Sequence, residues 1–209
     1  MCWRNQGFET FEDFTATLRS SKRKKLNRER RKVLEAGIEF QVRTGSELTD
    51  NDWNYLFRFY CNPYHVRGRM PYLSQDFFRE LSRVLGDNLV AFIAHHEEHP
   101  VASAILLRDQ SRLYGRYWGS DKEYDSLHFE TCYYRGIEYA ISEGLTHFEP
   151  GTQGEHKLIR GFHPTRSFSA HWIAHPDFAN AISEYLEKEK TWVDDYVQQC
   201  GAHLPFKRG

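Results

Sequence analysis

Proton-moving side chains concentrate between Arg112 and Ile173. Glu149 closes the strand-like run Thr146–Pro150, and His156 follows in the short segment GEHKLIRGF, with Gln153, Gly154, Lys157 and Arg160 around it. Tyr117, Trp118 and Gly119 end an earlier run, RLYGRYWGS, and His128 sits at the start of the helix between the two runs. A carboxylate at a strand end and an imidazole that titrates near neutrality are groups that exchange protons with substrates. Each also has a purely structural reading. The carboxylate can cap the following loop, the imidazole can bond the backbone, an aromatic in a strand can be core, and Lys157 and Arg160 can be solvated surface.

These residues need a scaffold that brings two strand ends together. The runs Arg112–Ser120 and Thr146–Pro150, separated by one helix, have the length and pattern of a βαβ crossover. A crossover of this kind makes its strands parallel, so the exit loops 119–128 and 150–156 share one edge. Open sheets bind ligands at the carboxyl ends of their strands. The helix between them carries Phe129, Tyr133, Ile137 and Ile141 at four-residue steps and ends at Gly144. Its start, like that of GEHKLIRGF, would offer N–H groups to an anion. Strict alternation along RLYGRYWGS would put Arg112, Tyr114, Arg116 and Trp118 on one face, and Leu113, Gly115, Tyr117 and Gly119 on the other. Glycines at 115 and 119 would then mark a bulge or a close approach of backbone or ligand.

The rest of the chain supplies the frame. Phe8, Phe11, Phe14, Leu18, Leu26, Val33 and Leu34 predict one amphipathic helix ended by Gly37. Ile38–Arg43 reads as a strand, and Thr49 and Ser74 as caps of two further helices. NLVAFIAHH is apolar on both faces, as a central strand would be, and VASAILLR returns beside it. RSFSAHWI reads as a last strand, and a long helix from Pro176 shows an apolar stripe (Phe178, Ile182, Tyr185, Leu186, Trp192, Val193, Tyr196, Val197) suited to packing. The fold class expected is α/β (α+β), a mixed, mostly antiparallel sheet flanked by helices with the parallel crossover at 112–150. It divides into a basic helical arm over 1–37 and a domain over 38–209.

Composition narrows the class. With 40% hydrophobic and 15% aromatic residues in 209, the chain is globular and able to build a core. Cys2, Cys61, Cys132 and Cys200 are widely spaced with no CxxC and no secretory signal before them, which suits free thiols in the cytoplasm. No stretch approaches the length of a transmembrane span. Between Arg19 and Lys32 nine Lys/Arg face one Glu, a local +8 in a chain of net charge −1. That run is either a solvated helical face or a footprint for phosphates, and it lacks the interleaved aromatics of a base-stacking surface. HHEEH at 95–99 is not HExxH and lies in a hairpin turn, so no metal is expected. No GxSxG or cysteine-protease signature is present.

The order of elements resembles the acyltransferase fold of the GNAT superfamily. The basic SSKRKKLNRERRKVLEAG opening and the later EPGTQGEHKLIRGFHPTRSFSAHWI are more specifically similar to FemAB-like predicted N-acyltransferases, and to the carboxy-terminal one of their two lobes. The resemblance implies transfer of an acyl or aminoacyl group from an activated donor to an amine. Glu149 would be the base, His156 an acid or base, and Tyr117 a hydroxyl acid. Trp118, Gly119, His128, Gln153, Gly154, Lys157 and Arg160 would contact donor or acceptor. In the superfamily acyl-CoA lies between the two splayed parallel strands, with its pyrophosphate on a glycine-rich loop. Here that loop is the acidic GSDKEYDSLHFE, so the donor is open between acyl-CoA and aminoacyl-tRNA. Arg19–Lys32 would then bind tRNA, and a first lobe or a second copy of the chain would be a partner. The alternative from another class is a non-catalytic RNA- or phosphate-binding module.

Overall fold

The computed structural model describes residues 1–151 and 154–207. In chain order it has β1 (Trp3–Arg4), α1 (Phe11–Ala16), α2 (Ser20–Glu35), β2 (Ile38–Thr44), α3 (Asp50–His65), α4 (Gln75–Leu85), β3 (Leu89–His96), β4 (His99–Arg108) and β5 (Arg112–Ser120). A crossover helix follows, made of α5 (Leu127–Phe129), a wide π turn (Glu130–Tyr134) and α6 (Arg135–Ser142). Then come β6 (His147–Glu149), a 3-10 segment (Glu155–Arg160) and α7 (Pro176–Ala202). The six strands form one sheet in the order β1-β6-β5-β4-β3-β2, antiparallel throughout except for the β5–β6 pair.

The central position of β3 follows from its sequence. Leu89, Ala91 and Ile93 pack against Trp53, Leu56, Tyr60 and Phe78 of α3 and α4 on one face. Val90 and Phe92 join Phe11, Phe14, Leu26, Ile137 and Ile141 on the other. Thr49 caps α3 in a capping box with Asp52, and the Ser74 hydroxyl accepts from the Phe77 N–H, which starts these helices where the hydroxyls stand.

Four sequence-based expectations change. The amino-terminal helix is interrupted at residues 17–19, because this stretch hydrogen-bonds residues 205–207 instead. Arg19 N–H donates to the Pro205 carbonyl and Lys207 N–H to that of Thr17. RSFSAHWI is not a strand. The place beside β6 is taken by β1, which pairs Trp3 with Phe148 and Arg4 with His147, and Phe168 and Trp172 stand 90% and 88% exposed. The stripe of α7 is mostly not packing either, since Phe178, Tyr185, Leu186, Trp192, Val193 and Tyr196 face solvent, Ile182 and Val197 are half-buried, and among the described residues of the helix only Cys200 is buried. Finally, a bulge breaks the alternation of β5. Leu106 pairs with Gly115 but Ile105 with Tyr117, so Arg116 is an extra residue. Tyr117 and Trp118 therefore exchange the faces that strict alternation gives them.

Helix α2 is held to the body through its buried acidic residue, Glu29. Buried Glu29 accepts two 2.8 Å hydrogen bonds from Arg160 Nη2, whose Nε donates to the Tyr134 hydroxyl at 2.9 Å. Arg30 joins Glu130 and Glu138 at 3.2 and 2.7 Å. Burial pushes the Glu130 carboxyl up from its usual range, against the pull of Arg30 and Arg135. Lys24, Lys25, Arg28 and Arg31 remain on the outer face.

Candidate functional site

Strands β5 and β6 pair over only three residues, ending at Tyr114 and Glu149, and then part. The next residues, Gly115 and Pro150, approach closely enough that a Cβ on Gly115 would stand 3.2 Å from the Pro150 Cα. Beyond them the strands leave a cavity of about 120 Å³ lined by Trp118, His128, Cys132, Tyr133, Pro150 and Gly151 among others. Cys132 and Tyr133 reach it from the π turn of the crossover helix. Such turns insert one residue into a helix and re-aim its side chains, and they recur at functional sites.

Around this cavity four rings pack on one another. His128 lies 5.5 Å from Trp118, 5.4 Å from Tyr133 and 6.3 Å from His156, centroid to centroid. The Tyr133 hydroxyl and His156 Nε2 share a 2.8 Å hydrogen bond. Gly154 sets the pose of the His156 ring. Its φ is +106°, and a Cβ there would come within 2.3 Å of the imidazole. Arg160 Nη1 donates to the His156 carbonyl at 2.8 Å, and its guanidinium stacks over Phe129. Arg160 is thus a clamp running from α2 to His156, with its donors committed within the protein.

Electrostatics follow from burial. Burial, helped by the charges of His156, Arg160 and Lys157, brings His128 down to about 4, so its imidazole is neutral at pH 7. Burial also lowers His156, again with Arg160 and Lys157 contributing. The Cys132 thiol and Tyr133 phenol are pushed up by burial, so both keep their protons. Lys157 is buried, donates from Nζ to the Gly151 carbonyl at 3.0 Å, and has its ammonium pKa lowered by burial. The site pairs neutral imidazoles, which accept protons, with hydroxyl and amine donors.

The structure separates residues that the sequence seemed to bring together. Glu149 does not face His156. It makes a 2.9 Å ion pair with Arg112 Nη1 in a second cavity, of about 680 Å³, that lies outside the His128–Tyr133 cluster. Tyr117 touches the small cavity but packs edge-on against Tyr60 and Phe78, its hydroxyl pushed up to about 12 by burial and by Tyr72. Gly119 lines neither cavity, because a Cβ there would fall 1.8 Å from the Phe59 carbonyl oxygen of α3. Gln153 lies outside the described residues. Trp118, His128, Gly154, His156, Lys157 and Arg160 do converge. Tyr133 was hidden in the apolar stripe of the crossover helix, and only its hydroxyl could have singled it out. In the loop before that helix, Asp121 binds Arg58 through two hydrogen bonds of 3.1 and 2.8 Å, and Asp125 binds Lys32 at 2.5 Å. Two of its acidic groups are thereby neutralised. Among the described residues no group of three His, Cys, Asp or Glu is placed to hold a metal ion, and no helix is long and apolar enough to cross a membrane.

A family model, FemAB-like and described as peptidoglycan biosynthesis/recognition, matches residues 1–208. No curated protein matches the sequence. Among solved structures, L-PGS from Bacillus licheniformis is similar at a TM-score of 0.52 and 12% identity, over 72% of this chain and 45% of that one. A possible acetyltransferase from Clostridium difficile 630 is similar at a TM-score of 0.48 and 13% identity, over 66% of this chain and 99% of that one. An aminoglycoside acetyltransferase from an uncultured soil metagenomic sample reaches 0.44 at 11% identity, over 68% and 98%. The likeness to L-PGS is one of fold, and this chain spans under half of that protein's length.

Proposed function

The chain belongs to the FemAB-like family, and from that premise we propose that it is an N-acyltransferase that moves an acyl or aminoacyl group from an activated donor to an amine. The observation that carries this reading is the gap between β5 and β6, walled by Trp118, His128, Cys132 and Tyr133 and topped by the Tyr133–His156 hydrogen bond. In the reaction the amine nitrogen attacks the donor's carbonyl carbon, forming a C–N bond. The C–S or C–O bond to the leaving group then breaks, and the amine's proton passes to a base and on to the leaving thiol or hydroxyl. His156, lowered by burial and exposed at the rim, is the base in this reading. Positioned bases of this kind contribute about 10²–10⁴-fold. Tyr133, still protonated, is the acid that returns a proton through the shared hydrogen bond. Acyl-CoA and aminoacyl-tRNA both remain donors under this proposal.

The test is transfer of a radiolabelled acyl group from acyl-CoA, and separately of a labelled amino acid from aminoacyl-tRNA, onto a panel of amines. Transfer from either donor is expected, and transfer from neither overturns the reading. A second reading, binding of RNA or another phosphate polymer on α2, has its own observation. Lys24, Arg28 and Arg31 form an exposed stripe at helical spacing without an ion-pair partner among the described residues. It requires binding that weakens steeply with salt and disappears when those three are changed to Gln.

A further inference from the structure

The second cavity, at the same gap, belongs to none of the chemistry above. It has a volume of about 680 Å³, enough for a ligand the size of a typical cofactor or drug. Its charged lining is Arg4, Arg112, Arg116, Arg166 and a single carboxylate, Glu149, with His147 beside them. Arg112 is taken up by Glu149 and Arg166 by an ion pair with Asp194 of α7. Arg4 and Arg116 are exposed and make no ion pair among the described residues. Two free guanidiniums, backed by two more, form a strongly positive recess whose planar forks match oxyanions.

Two features show that the recess is built. Arg4 is brought there by β1, which pairs with β6 and places Arg4 opposite His147. Arg116 is the extra residue of the β5 bulge, a feature that takes one side chain out of the ladder and re-aims it. The recess also adjoins the small cavity, since Gly115, Arg116 and Gly151 line both. The field acts on a neighbour too, because Arg112 and Arg4 reinforce burial in lowering His147.

We propose that this cavity binds the oxyanion end of the acceptor, a phosphate or carboxylate held by Arg4 and Arg116, so that the acceptor's amine is presented to the gap. The identity of the ligand as acceptor rests on the transferase reading, whereas binding of an anion does not. Inorganic pyrophosphate and citrate are the probes, titrated by calorimetry into the full chain at low and moderate salt, with no turnover needed. Arg4→Gln, Arg116→Gln and the double variant are compared with a Lys24→Gln/Arg28→Gln/Arg31→Gln control on α2. Binding of at least one anion is expected, weakened about tenfold or more by each single change and abolished by the double one, with the α2 control unchanged. Tighter pyrophosphate assigns the phosphate class, and tighter citrate the carboxylate class. Binding of neither anion, binding that survives the double variant, or binding lost in the α2 control instead overturns the proposal. A chain that binds pyrophosphate here but transfers no acyl group would sink the transferase reading alone.

Discussion

On one side of the gap between β5 and β6 the lining is aromatic and neutral, with His128 held unprotonated by burial and Tyr133 bonded to His156. On the other side four guanidiniums face one carboxylate across a cavity more than five times larger. Both are made by the same two strands, and they meet at Gly115, Arg116 and Gly151. The difference arises from what covers each face. The crossover helix and Arg160 desolvate the first side, so its groups are tuned by burial. The second is bordered by Met1, Cys2, Arg4 and the segment from Pro164 to Phe168, and the Arg4 and Arg116 side chains on it are exposed.

The largest effect should come from unclamping the neutral side. Arg160→Met leaves buried Glu29 with only the Tyr134 hydroxyl and the more distant Lys25 ammonium at 3.9 Å, and loss of one member of a buried pair costs up to about 3–5 kcal/mol. Thermal or denaturant unfolding would show it, and a loss below about 1 kcal/mol would mean that Arg160 does not join α2 to His156. Next comes acid sensitivity. The folded-state pKa of His128 lies below its unfolded value. Its contribution is therefore complete above about pH 6.5 and is lost as pH falls toward about 4. His128→Leu should flatten the fall in stability across that window by up to about 3 kcal/mol relative to the parent chain, at about 1.4 kcal/mol per tenfold change in proton affinity. Parallel curves would contradict the assigned desolvation.

The charged side should respond weakly in stability. Glu149→Gln breaks a half-exposed ion pair with Arg112, so the change should stay within about 1 kcal/mol. Arg116→Gln should fall within about 0.5 kcal/mol, as for a surface substitution. A larger loss in either variant would make the second cavity structural rather than a binding recess.

Much of this architecture was legible in the sequence, because local signals and tertiary packing agreed there. The doubly apolar β3, the caps at Thr49 and Ser74, and the crossover between β5 and β6 all follow from pattern. What could not be read depended on distant partners. Nothing local announces that Trp3–Arg4 takes the sheet position beside β6, or that residues 205–207 break the first helix at Thr17–Arg19. The bulge at Arg116 is set by the register with β4, and it alone reverses the faces of Tyr117 and Trp118. Of the candidate site, the His128, His156 and Lys157 cluster was visible as residue types. The placement of Glu149 on the opposite side of the gap from His156 was not, because β6 is short and its last side chain is drawn to Arg112.

The proposed transfer takes place at the gap between β5 and β6, with the basic face of α2 at most a handle. The measurement that tests it is the single-turnover rate of acyl or aminoacyl transfer, compared among the parent chain, His156→Ala, and the Lys24→Gln/Arg28→Gln/Arg31→Gln variant, at substrate levels that saturate binding. A loss of about 10²-fold or more in His156→Ala, with unfolding stability held within about 1 kcal/mol and the triple variant near the parent rate, is the predicted result. An unchanged rate in His156→Ala, or a loss confined to the α2 variant, would contradict it.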